Sequence, residues 1–153
     1  MEYTLAKIEK DYRIHIPKIL LSGVGWVPEN NKGACVLVGD SGRCRLLSGG
    51  EVQHDPDCCR IREEIGAVLE EPLSSVLNFR EESVTALPLR LLPVDIFPHG
   101  VGYRMTLPKL LTGIFQVCPG KDSVAVLVNQ AHIEIWNLET LRIAVSRRLE
   151  ELL

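Results

Sequence analysis

The sequence predicts a mainly β fold with short helices, an α+β arrangement in which one strand-rich motif occurs twice. Three observations predict it. The stretch Tyr12-Arg13-Ile14-His15-Ile16-Pro17-Lys18-Ile19-Leu20-Leu21 returns as Tyr103-Arg104-Met105-Thr106-Leu107-Pro108-Lys109-Leu110-Leu111-Thr112. Downstream, Ala34-Cys35-Val36-Leu37-Val38 is answered in the same order by Val124-Ala125-Val126-Leu127-Val128. In the first stretch apolar residues fall two apart, the spacing that sends side chains to alternate faces of a strand. An offset of about 91 positions is far longer than a solenoid period, so the chain holds two copies of one unit.

Each copy opens on a short strand, Thr4 to Ile8 or Val94 to Phe97, and turns into a second. Arg13-Ile14-His15-Ile16 and Arg104-Met105-Thr106-Leu107 carry the alternation of that second strand. Pro17 or Pro108 ends it and suits the first turn of a helix, where the missing N–H would have no partner anyway. Ile19, Leu20 and Leu21, or Leu110 and Leu111, bury one face of the short helix. Gly23-Val24-Gly25, or Gly113, then breaks it. Polar loops follow at 28–33 and 119–122. Each leads into a β-hairpin turning at Gly39-Asp40-Ser41-Gly42 or Asn129-Gln130-Ala131. The returning arms are Cys44-Arg45-Leu46-Leu47 and His132-Ile133-Glu134-Ile135-Trp136.

The stretch between the copies differs in character. Asp55-Pro56 reads as an N-cap with proline at the first helical position. Cys58, Ile61, Ile65, Val68 and Leu69 then form a helical stripe up to Pro72. Residues 73–92 read as mostly irregular. At the end, Asn137 caps a helix with Leu138, Leu141, Val145, Leu149 and Leu152 along one face. The organisation is therefore a first repeat at 1–50, a helical connector at 51–91, and a second repeat with a C-terminal helix at 92–153.

Composition narrows the class. With 46% hydrophobic and 24% charged residues the chain can bury a core, unlike a disordered segment. Five cysteines, an odd number without framework spacing, argue against a disulfide scaffold. Cys35, Cys44 and Cys118 read as small hydrophobes in or beside apolar segments. The opening Met1-Glu2-Tyr3-Thr4-Leu5-Ala6-Lys7 lacks the apolar stretch of a signal peptide. No apolar run approaches the roughly 20 residues of a membrane span. A cytoplasmic location is the expectation. A net charge of -3 argues against extensive nucleic-acid contact and leaves room for a local basic patch.

Arg-x-x-x-Pro entering a short helix, a glycine-bounded loop, and a hairpin ending in Ile133-Glu134-Ile135-Trp136 together resemble the AbrB-type swapped-hairpin domain. The duplication, the intervening helix and the terminal helix after the tryptophan resemble the MraZ family of bacterial transcription regulators in particular. The resemblance covers roughly residues 3 to 48 and 92 to 152. It implies a double-split β-barrel in which the two repeats exchange hairpins within one chain, as an intrachain pseudo-dimer. It also implies a DNA-binding transcriptional regulator that assembles as a homo-oligomer, placed on the bacterial nucleoid when bound to double-stranded DNA. The family's Asp-x-x-Gly-Arg turn carries its DNA contact. Its arginine falls on Arg13 and Arg104, its aspartate on Glu9 and Gly100, and its glycine on Tyr12 and Tyr103. Tyrosine suits a left-handed backbone poorly, so the turn is expected to differ in shape here.

The candidate DNA-binding residues are Arg13, Arg104, Lys7, Lys10, Lys18 and Lys109, with His15 beside them. Arginine can grip guanine bidentately or clamp a phosphate. It can equally be a turn arginine paired with a carboxylate across the interface between the repeats. The lysines are phosphate contacts or simply solvated charges diluted by Glu9 and Asp11. Tyr12 and Tyr103 read as packing over neighbouring strands, with base stacking as the other option. His54, Asp57, Cys58, Cys59 and His99 are metal-ligand types without any recognised zinc spacing, so no metal or cofactor is expected. Neither Gly23-Val24-Gly25 nor Gly100-Val101-Gly102 has phosphate-loop spacing, and no serine sits in a nucleophile elbow. Neither an enzyme nor a small-molecule substrate is expected. The alternative to DNA binding is a protein-interaction or scaffold module, antitoxin-like or a degenerate MraZ.

Overall fold

The computed structural model describes residues 3–26, 32–37, 42–48, 51, 56 and 90–153. The predicted connector helix, the cysteine pair Cys58 and Cys59, and the tip of the first hairpin lie outside the described residues. Alternating burial shapes the strands: in the Arg13–Pro17 strand, Ile14 and Ile16 are fully buried while His15 is exposed. The strands are β1 (Tyr3–Lys7), β2 (Arg13–Pro17), β3 (Lys32–Leu37), β4 (Arg43–Ser48), β5 (Arg90–His99), β6 (Gly102–Thr106), β7 (Ser123–Asn129) and β8 (His132–Asn137). The helices among the described residues are α1 (Lys18–Gly23), α2 (Lys109–Phe115) and α3 (Leu138–Leu152). The protein is mainly β with short helices, as the alternation predicts.

All pairings are antiparallel, in the order β1-β7-β8-β4-β3-β5-β6-β2. The first strand of each copy pairs with the third strand of the other: β1 lies along β7, and β5 along β3. The second strands pair with each other in a register that sets Ile14 opposite Met105. The fourth strands also pair, with Arg45 opposite Glu134. β5 runs from Arg90 to His99, longer than the predicted Val94 to Phe97. It pairs with β3 through Asp95 and with β6 from Ile96 onward. Two sheets are thereby joined through one strand.

The core fills the space between the inner faces. Ile8, Ile14, Ile16, Leu92, Ile96, Met105, Val124, Val126, Ile133 and Ile135 belong to one cluster, capped by Leu20, Leu21, Leu111 and Phe115 of α1 and α2. Pro17 and Pro108 stand immediately before these helices as N-caps, with φ −61° and −59°, rather than within the first turn as expected. Gly113 does not break α2. The helix continues to Phe115 and ends at Gln116, φ +54°, because burying Phe115 and packing Ile114 on the core outweigh the roughly 1 kcal/mol helix cost of glycine. Cys44 is buried, as expected of a small hydrophobe, whereas Cys118 is exposed in the α2–β7 loop.

α3 lies on the outer face of β7 and β8, where Ala125, Leu127 and Trp136 pack with Leu141 and Ala144. Asn137 caps it as predicted: its Oδ1 accepts from the Glu139 and Thr140 N–H groups at 2.9 and 3.1 Å. The same amide donates to the Phe115 carbonyl at 2.6 Å, tying α3 to α2. In the first turn Arg142 pairs with Glu139, holding that carboxyl below its usual range and the guanidinium above its own. Asn137→Ala is expected to cost about 1–2 kcal/mol, because it strands both capped donors. A thermal melt followed by far-UV circular dichroism checks this, and an unchanged melt would deny the cap its role. No helix among the described residues is long and apolar enough to cross a membrane.

Candidate nucleic-acid interface

The outward face of the β2-β6-β5 sheet is set by the row beneath it. Ile14, Met105 and Ile96 stand abreast across the three strands, and each is fully buried. Side chains one residue along must therefore point the other way. His15, Arg104 and Phe97 form the next row, again abreast. Arg13, opposite Thr106, lies on the same outward face. The repeat thus brings both predicted arginines to one surface, on either side of the Ile14–Met105 pair.

Their surroundings are not equivalent. The Arg104 side chain is 22% exposed, and its Nη2 donates to Glu9 Oε1 at 3.3 Å. Its Nε is buried without a hydrogen-bond partner, a cost on the order of 1–3 kcal/mol. Arg13 is 41% exposed, its Nε 3.4 Å from Asp11 Oδ2, and its guanidinium lies 5.4 Å from the centre of the Phe97 ring. Both ion pairs are open enough to water that each contributes little stability. Arg104 therefore fits the reading of an arginine paired with a carboxylate across the repeats, while Arg13 keeps more of its surface.

The sequence predicts that tyrosine avoids a left-handed backbone and reshapes the turn; in the first copy it does not avoid it. Tyr12 takes the left-handed conformation, φ +68°. Its N–H donates to the Glu9 carbonyl at 2.9 Å and its carbonyl accepts from the Leu107 N–H at 2.8 Å, so the strained backbone is held from both sides. The Lys109 ammonium sits 5.7 Å from the Tyr12 ring centre, within cation–π range. In the second copy the left-handed residue is Gly100, φ +59°, and the two-residue turn Gly100-Val101 joins His99 to Gly102. A turn with glycine first suits a right-twisted hairpin. Tyr103 lies on β6 and packs against the core, so it does not occupy a turn.

Of the predicted lysines, Lys10 lies in the first turn, its Cγ 2.8 Å from where a Cβ on Gly120 would stand, and Lys109 lies over Tyr12. Lys18 is exposed at the start of α1, at the end of β2. Lys7 is exposed on β1, which pairs into the other sheet opposite Ser123. His15 lies over Gly102, where a Cβ would meet its ring at 2.6 Å and, less avoidably, the Ile16 backbone carbonyl at 2.8 Å. The sequence reading missed Phe97 as a member of this face. Aligning the buried Ile8 and Ile96 would have placed Phe97 at the position of Glu9.

Among the described residues no group of three or more His, Cys, Asp or Glu could hold a metal ion. His54, Asp57, Cys58 and Cys59 fall outside them. No protein-family model matches the chain, and no curated protein matches it in sequence.

Proposed function

We propose that this chain is a DNA-binding transcriptional regulator of the AbrB/MraZ type, folded as an intrachain pseudo-dimer of two swapped-hairpin repeats. The exchange of first strands between β7 and β3, and the self-pairing of second and fourth strands, support the double-split barrel. One observation carries the function: the β2–β6 register sets Arg13 and Arg104 on a single outward face. Lys10, Lys18 and Lys109 supply further cations for phosphates at its margin. A homo-oligomer would repeat this modest face along a duplex and multiply its affinity without new contacts.

Binding to a duplex from the chain's own upstream region is expected to weaken steeply with salt. Arg13→Ala with Arg104→Ala should lower affinity and flatten the salt slope by up to about 1.8, the value for two phosphate contacts. Gel shift across a salt series measures both, and unchanged binding would remove the arginines from the interface. A second reading, a protein-interaction module that has lost DNA binding, is favoured by the Glu9 carboxylate already held by Arg104. It expects no salt-sensitive DNA binding and a stoichiometric protein partner.

A further inference from the structure

Glu9 and Phe97 occupy the same place in the two repeats. Each follows a fully buried isoleucine, Ile8 or Ile96, at the end of its copy's inward row. Each also flanks the arginine of its own copy: the Glu9 N–H donates to the Arg13 carbonyl, and Phe97 stands opposite Arg104. Across the seam the arginines reach reciprocally, Arg104 to Glu9 and Arg13 to Phe97. One repeat thus offers the other's arginine a carboxylate, and the second offers an aromatic ring. A ring under a guanidinium orients it and leaves its charge for an anion. A carboxylate supplies the oxygen that a phosphate would otherwise bring.

We propose that Glu9 is an internal stand-in for phosphate at Arg104, so that this face engages DNA first through Arg13 and gains Arg104 only when Glu9 is displaced. The inference rests on the DNA-binding reading and deepens it, because it makes two pseudo-equivalent arginines unequal. The pose of Arg104 supports it. The contact to Glu9 is long for a charge-assisted bond and leaves Nε buried without a partner, so the resting pair is a poor optimum for the guanidinium. Asp11 also pairs with Arg13, Oδ2 to Nε at 3.4 Å, but it comes from the same turn, makes no side-chain hydrogen bond to the guanidinium and leaves that side chain 41% exposed against 22% for Arg104. Its Oδ1 accepts the Arg13 backbone N–H at 3.3 Å and so serves the turn.

The experiment is fluorescence anisotropy of a labelled duplex from the chain's own upstream region, titrated with the full chain over a salt series. Glu9→Gln keeps the side-chain shape and removes the charge. It is expected to tighten binding roughly eightfold near 0.1 M salt and to steepen the salt slope by about 0.9, as one added phosphate contact does. Combined with Arg104→Ala, the gain should vanish. Wild-type binding that Glu9→Gln leaves unchanged would overturn the inference and spare the DNA reading. So would a gain that persists with alanine at 104, since that reports net charge alone. A duplex bound by neither wild type nor Glu9→Gln at any salt would remove the DNA reading and this inference together.

Discussion

Ile14→Ala is expected to destabilise the whole chain as one unit, by about 2–5 kcal/mol, moving the urea midpoint down by roughly 1–2 M. Ile14 is fully buried and stands against Met105, with Ile96 beyond it, so truncation opens a cavity where three strands meet. Strands in fixed register collapse poorly into such a hole, which keeps the cost high. The consequence for folding is larger than one contact. β1 leans on β7, β3 on β5, β2 on β6 and β4 on β8, so neither copy completes a sheet alone. The chain contains two tryptophans, and one falls in each copy: Trp26 in the main core and Trp136 under α3. Single-tryptophan variants, made by Trp→Phe at the other site, should report the same midpoint and the same shift on Ile14→Ala. Separate midpoints, or a shift seen only by Trp26, would show that the copies fold independently.

The strands and the proline-led helices could be read from the sequence because their signals are local. Alternation at Arg13-Ile14-His15-Ile16 and a proline that stops it need no knowledge of the rest of the chain. β5 is longer than predicted because its first half is specified by a distant partner. Leu92, Val94 and Ile96 alternate correctly, yet Pro93 and Pro98 demote the run when it is read alone. Gly113 misleads for the same reason, since propensity is small beside the burial of Phe115. The stripe of α3 was visible, but amphipathicity says nothing about what covers it. Leu141 is partly buried on the sheet, while Leu138, Val145, Leu149 and Leu152 are exposed. Leu138, Leu141 and Val145 line a groove of about 490 Å³ with Tyr3 and Leu127. At the interface, the repeat located both arginines. Their partners escaped because Glu9–Arg104 and Arg13–Phe97 are contacts between copies, fixed only by the β2–β6 register.

The second large effect is expected at Glu134, which the sequence presents as an unremarked polar residue between two isoleucines. It is 6% exposed, on the outward side of β8 that α3 and its neighbours cover. Its Oε1 accepts from Trp136 Nε1 at 2.8 Å and from Asn129 Nδ2 at 3.3 Å, and Arg45 stands opposite it on β4. Trp136 is in turn covered by the Arg43 guanidinium, 5.1 Å from its ring. The carboxylate therefore ties Trp136 of β8 to Asn129 of β7, beside the β4–β8 pairing where the two copies meet a second time. Glu134→Leu fills the space but leaves the indole and amide donors without an acceptor, at about 1–3 kcal/mol for each donor stranded. A total loss near 3 kcal/mol is expected, whereas Glu134→Gln keeps an acceptor oxygen and should lose about 1 kcal/mol or less. Urea denaturation measures the difference, and the indole N–H resonance of Trp136 should move furthest in the leucine variant, which leaves it no acceptor. Equal losses for leucine and glutamine would mean that packing, rather than the hydrogen bonds, gives Glu134 its place. If that were so, the β4–β8 backbone pairing and the burial of Ile133 and Ile135 would hold this region without help from the carboxylate's hydrogen bonds.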